Sequence, residues 1–187
     1  MMETLLRHSK TLSRWLVWLA GALILLAALL VSAEVFLRKF FNFSFGGADE
    51  LSGYAFGIAT TLAFAFALFE RAHIRVDATY NAFPGWLRIV VNFLGLLLLI
   101  GFAAVVATHS WSMVSDSIEY GSKSITPMRT PLAIPQIFWL AGWIFFIFCG
   151  LVIGMTALKR LMTGDPKGAD QLIGIKSMEE QIEDERG

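Results

Sequence analysis

The sequence predicts an all-α integral membrane protein. Four transmembrane helices are expected, with both termini cytoplasmic and a short interfacial segment between helices two and three. Three observations predict it. Of 187 residues, 56% are hydrophobic and 16% charged, whereas soluble domains run about 45–50% apolar and about 25% charged. The charges are also bunched. No Asp, Glu, Lys or Arg occurs in 15–33, 51–69, 89–115 or 131–158, and each gap reaches the roughly 18 residues that mark a spanning candidate. Finally, Lys and Arg are spread unequally over the segments between the gaps, which sets an orientation.

Lipid cannot satisfy open backbone groups, so the gaps are read as helices. Continuous apolar runs do not fit the alternating strands of a barrel. The expected helices cover about 12–40, 48–70, 86–116 and 132–161, within a membrane domain of residues 1–163. Residues 164–187 are expected to be an acidic, mobile cytoplasmic tail. Disorder, collagen and coiled coil are excluded by the abundance of Leu, Phe and Ala and by the lack of a Gly-X-Y or charged heptad period. One cysteine, Cys149, excludes a disulfide framework or Cys-rich metal site. Fifteen basic and fifteen acidic residues cancel, so nothing points to nucleic acid.

The first helix has basic residues before it (Arg7, Lys10, Arg14) and Val31-Ser32-Ala33 near its end. A signal peptide would look similar, but this apolar stretch exceeds the 7–15 residues of a signal core. A retained anchor is expected. Glu34 and Arg38 lie four apart on one helix face. A local ion pair easing the helix out of lipid and a partner contact both fit them. Gly46-Gly47 then breaks the chain, and Asp49 and Glu50 open the second helix, where negative charge suits the dipole.

The segment Glu70-Arg71-Ala72-His73-Ile74-Arg75-Val76-Asp77 mixes charge with single apolar residues. Val76, Tyr80 and Phe83 fit one face of a short interfacial helix before Pro84. Pro127, Pro131 and Pro135 keep the approach to the fourth helix extended. In the tail, Ser177 and Glu180 form a capping-box pattern. Counting Lys and Arg, eleven fall on the side of the termini and four on the other, which places both termini in the cytoplasm. Trp15, Trp18, Trp86 and Trp111 sit near span ends, as aromatic belts do.

The absent chemistry constrains function. Pumps and proton relays carry ionisable residues inside the membrane, and the four charge-free stretches offer only polar residues such as Thr60, Thr61, Asn92, Thr108, His109, Ser110 and Thr156. These residues commonly bond a neighbouring helix or their own backbone. No selectivity-filter sequence and no broken-helix repeat is visible. A four-helix anchor subunit of a redox complex is the alternative, but haem between helices needs facing ligands. Only His8, His73 and His109 exist, and only His109 lies in a span. His109 is expected to bond another helix, and Cys149 to pack as a small hydrophobe. No catalytic residues, metal ligands or substrate-binding residues are assigned and no cofactor is expected; the chain reads as a non-enzyme that works through a partner. Small residues recur on the second helix (Gly53, Gly57, Thr60, Ala63, Ala67) and the fourth (Gly142, Gly150, Gly154). They fit close helix approach inside this unit or against a partner.

Taken together, these features resemble the DctQ-like small membrane subunit of tripartite ATP-independent periplasmic (TRAP) transporters. Glu34 through Arg38 closes the first helix. Glu50-Leu51 with Tyr54 opens the second. Ala72-His73-Ile74-Arg75-Val76-Asp77 follows it, and Thr130-Pro131 with Pro135 leads into the fourth. The resemblance spans about Trp15 to Arg160 and leaves out the acidic tail. It implies an accessory or scaffold subunit in a bacterial inner membrane system that imports an organic acid by sodium symport. The implied partners are a large multi-helix membrane subunit, a periplasmic substrate-binding protein and membrane lipid. It also implies interface or anchoring roles for Glu34, Arg38, Glu50, Tyr54, His73, Arg75 and Asp77.

Overall fold

The fold is that of a computed structural model, which describes residues 2–44, 46–72 and 83–174. Five helices occur among these residues: α1 (Met2–Phe41), α2 (Ala48–Phe69), α3 (Gly85–Glu119), α4 (Ala133–Met162) and α5 (Pro166–Ile173). The first four are long and apolar enough to cross a membrane. No strand occurs among the described residues; a lone antiparallel bridge joins Lys123 and Pro131.

α1 is 40 residues long, about 60 Å at helical rise and twice a hydrocarbon core. It begins ten residues before its expected start. Nothing in Glu3 to Arg14 breaks a helix, and this stretch has packing of its own. Ser9 and Ser13 are buried, and Leu6 lies against the core. The other boundaries follow local chemistry. At the end of α4, Gly164 takes φ +81°, and Asp165 N–H reaches back to Arg160 O at 2.9 Å. This is the left-handed helix stop that glycine adopts without strain.

α1 packs along α2, α2 along α4, and α4 along α3; α1 also touches α4. α4 is therefore the central helix, and its sequence explains why. Ile100 lies 2.8 Å from where a Cβ on Gly150 would stand, and the Thr61 backbone lies 3.0 Å from the equivalent point on Gly142. Only glycine admits that approach. Trp143 fills the space between three helices, with ring centroids 5.1 Å from Phe64 on α2 and 6.2 Å from Phe102 on α3. Cys149 is fully enclosed. By contrast, Trp15, Trp18, Leu25 and Leu26 of α1 are exposed. Such a surface is stable only against lipid or another apolar partner.

Polar residues in the spans mostly bond their own helix. Thr60 donates to Phe56 O (2.7 Å), Thr108 to Val105 O (2.8 Å) and Thr156 to Val152 O (2.7 Å). His109 corrects an expectation. Its Nδ1 lies 2.9 Å from Val105 O on the same helix, and the ring is exposed. A helical histidine four residues after a carbonyl reaches that oxygen without a second helix.

Asn92 differs, since its amide donates to Asp170 Oδ1 of α5 at 2.8 Å. α5 is itself a correction, because it occupies the start of the stretch expected to be mobile. Ala169 and Ile173 are buried in the main core. Asp165 caps α5 by accepting from Gly168 N–H at 2.9 Å, and Pro166 opens it. The capping-box expectation at Ser177 and Glu180 lies outside the described residues.

Candidate functional site

Polar side chains gather at the two ends of the spans. At the end away from the termini, α1 runs out at Glu34 and α2 starts at Glu50. Glu34 is 4% exposed. Its carboxylate accepts from the Ser44 hydroxyl, and Arg38 stands 4.0 Å away on the same helix. Ser44 Oγ also accepts from Gly46 N–H at 3.2 Å. One carboxylate thus organises the turn that reverses the chain from α1 into α2.

Glu50 does similar work for the other connection. Tyr54, one turn along α2, donates to Glu50 Oε1 at 2.8 Å. The Thr126 hydroxyl donates to the second carboxylate oxygen from the α3–α4 loop. Within that loop, Ser124 Oγ lies 2.9 Å from Thr126 Oγ1 and accepts from Thr130 N–H at 3.1 Å. Ser124 N–H donates to Thr130 O at 2.9 Å. The first turn of α2 and the approach to α4 are therefore one hydrogen-bonded unit.

At the other end, Arg160 of α4 donates to Glu3 Oε1 at 2.9 Å and to Gly168 O at 3.1 Å. Lys10 of α1 pairs with Glu70, just past α2, at 3.4 Å. This end joins the N-terminal turns of α1 to α4 and α5.

Of the residues singled out from sequence, Glu34 and Arg38 meet each other, and Glu50 and Tyr54 meet each other. His73, Arg75 and Asp77 lie outside the described residues, as does most of the expected interfacial segment. Ser44, Ser124, Thr126, Glu3 and Arg160 were not singled out. The Thr126–Glu50 bond spans 76 residues and Arg160–Glu3 spans 157, so no local pattern announces either. Arg160 was legible only as a charge at a span end.

Among the described residues, no group of three or more His, Cys, Asp or Glu is arranged to hold a metal ion. His8 Nδ1 lies 2.7 Å from Thr4 O on its own helix, as His109 does on α3. Among the described residues, the arrangement connects and braces helices.

No curated protein and no solved structure is similar enough to match the chain. A family model does match, over residues 27–160, and it describes the tripartite ATP-independent periplasmic transporters, DctQ component. That span holds most of α1, all of α2 and α3, and α4 as far as Arg160, with both acidic helix ends. The chain belongs to this family, and is a multi-pass membrane subunit of a TRAP transporter.

Proposed function

We propose that this chain is the non-enzymatic scaffold subunit of a sodium-driven importer of an organic acid in a bacterial inner membrane. Its partners are a large multi-helix membrane subunit, which carries the substrate and sodium sites, and a periplasmic substrate-binding protein. The family match over residues 27–160 carries this reading. Two physical features support it. The four charge-free stretches hold no Asp, Glu, Lys or Arg, and a midplane site for a carboxylate and sodium would call for ionisable residues or broken helices. The exposed apolar face of α1 suits a large hydrophobic partner.

In this reading both termini are cytoplasmic, following the excess of Lys and Arg on their side. Glu34, Arg38, Glu50 and Tyr54 hold the outer helix ends in the shape the partner meets. His73, Arg75 and Asp77 anchor the inner loop at the headgroups or on the large subunit.

The test is co-expression with the genomic neighbours, followed by tag isolation in mild detergent. One large membrane protein should co-purify at a fixed ratio. Vesicles holding both should take up an organic acid only with sodium and the soluble binding protein. Isolation of this chain alone across several detergents, or uptake by it alone, would overturn the reading.

A further inference from the structure

A cup of about 280 Å³ lies on α1 toward its N-terminal end, lined by Thr11, Arg14, Trp15 and Trp18. These positions are i, i+3, i+4 and i+7, so one helix face forms the whole cup. The face points outward. Ser9, Ser13 and Ala20 mark the packed side of α1, whereas all four lining residues are exposed. At about 100° per residue, Arg7, Thr11, Arg14, Trp18 and Leu25 fall within about 60° of one another around the helix axis. A stripe thus runs from two arginines, past a tryptophan, to an exposed leucine.

The same residues set the level of the cup. Arg14 is the last charge before the charge-free stretch 15–33, and tryptophans at a span end mark the interface. The Arg14 guanidinium, on its long stem, therefore stands among headgroup phosphates. Leu25 is about 10 Å deeper than Trp18 along the helix, at the depth of acyl chains.

Charge then selects the lipid. Neither Arg7 nor Arg14 has an ion pair among the described residues. The acids near this end pair elsewhere, Glu70 with Lys10 and Glu3 with Arg160. A guanidinium presents a planar fork of donors that matches phosphate oxygens, and it offers no acceptor to an ammonium. Two unpaired cations on one stripe favour a headgroup whose phosphate charge is not cancelled by a cation of its own.

We propose that the cup binds one anionic phospholipid, a phosphatidylglycerol, through its phosphate. Arg14 donates to the phosphate oxygens, Trp15 and Trp18 flank the glycerol, and an acyl chain follows Trp18 toward Leu25. Arg7, about 10 Å farther along the helix, adds its charge without contact. Leu19 and Leu26 are exposed about a quarter turn away, which leaves apolar surface of α1 for a protein partner. The site uses only this chain's residues. It depends neither on the proposed transport reaction nor on which side of the membrane holds the termini.

The test is native mass spectrometry of the full-length subunit, delipidated in detergent and titrated with phosphatidylglycerol, phosphatidylethanolamine or phosphatidylcholine of one acyl composition. One phosphatidylglycerol should bind per chain, about tenfold tighter than either zwitterionic lipid. Arg14→Gln should abolish that preference. Lys159→Gln removes the same charge at the same end of the spans and should leave the preference intact. Inorganic phosphate in tenfold excess should not displace the lipid, because it has no acyl chain to lay along the stripe. Melting temperatures within a few degrees of the parent establish that both variants, each at an exposed position, are folded. Equal binding of the three lipids to the parent chain, or a preference that survives Arg14→Gln, would overturn the proposal. Equal losses from Arg14→Gln and Lys159→Gln would do so as well, since the attraction would then be diffuse. Displacement by inorganic phosphate would make the cup a site for the free anion and would also overturn it.

Discussion

Asn92 and Asp170 meet across 78 residues of sequence, the α3 amide donating to the α5 carboxylate at 2.8 Å. Asn92 is 1% exposed, and it stands in the charge-free stretch of α3, where an amide without partners is costly. α5 covers the end of α3 and α4 with Ala169 and Ile173, and the Asp170 carboxylate comes with it. Residues 166–173 lie beyond the family match, which ends at 160, yet they complete the core of the described protein.

Asp170→Ala should therefore destabilise the isolated subunit. A hydrogen bond to a charged group contributes about 1.5–3 kcal/mol. Thermal unfolding in detergent should show a fall of several degrees, and hydrogen exchange over residues 166–173 should quicken. Equal stability of Asp170→Ala and the parent would show that the bond contributes nothing.

The glycines of α4 and α2 should respond in opposite ways. A Cβ on Gly142 runs into Thr61, side chain and backbone. Gly142→Ala should push α4 from α2, with an overpacking cost of about 1–3 kcal/mol. A Cβ on Gly53 meets nothing within 4 Å. Gly53→Ala should be neutral or stabilising in the isolated subunit, since alanine is the better helix former by about 1 kcal/mol. Melting temperatures of the two variants, measured side by side, check the contrast. If Gly53→Ala also weakens co-purification of the large subunit, the open face of α2 belongs to that interface.

The fold was legible because membrane physics writes it into composition. Four charge-free stretches gave four helices, and the tryptophans at 15, 18, 86 and 111 lie near the ends of those stretches. The start of α1 was not legible. Glu3 to Arg14 is too polar to read as a span, and its helix rests on contacts with α2, α4 and Arg160. α5 was hidden for a related reason. Eight residues are too few for a stable isolated helix, and burial of Ala169 and Ile173 adds what the Asp165 cap alone does not supply. At the site, Glu34 with Arg38 was visible as a pair four residues apart, whereas Glu50 and Tyr54 came together only through the family resemblance. Their loop partners, Ser44 and Thr126, were not visible, because a hydroxyl in a loop looks the same whether or not a carboxylate waits for it.

Arg160 separates a tertiary tie from a surface pair. Its contact with Glu3 is half in water, since the Glu3 side chain is 59% exposed. Such pairs contribute about 0.2–1 kcal/mol and weaken with salt. Glu3→Ala should shift the melting temperature slightly, and the shift should shrink in high salt. Arg160→Ala should cost more, because it also strips the Gly168 carbonyl of its donor at 3.1 Å and loosens α5. Equal effects of the two variants would mean that the Arg160–Gly168 bond is idle.

Glu50 offers the sharpest test of the outer end. Its carboxylate accepts from Tyr54 on its own helix and from Thr126 on the α3–α4 loop. Glu50→Gln keeps one amide oxygen to accept but loses the charge that shortens and strengthens both bonds. Glu50→Ala removes them altogether. Limited proteolysis after Lys123 or Arg129, both exposed in that loop, should therefore quicken in the order parent, Glu50→Gln, Glu50→Ala. Thr126→Val should loosen the loop in the same direction but less than Glu50→Ala, because the Glu50 carboxylate also interacts with Ser124 and Thr130. Tyr54→Phe should expose the loop less than Thr126→Val, because the Tyr54 bond to the carboxylate lies within α2. If Tyr54→Phe exposed the loop as fully as Thr126→Val, the loop would be held through Tyr54, and the direct Thr126–Glu50 tie would not be the brace.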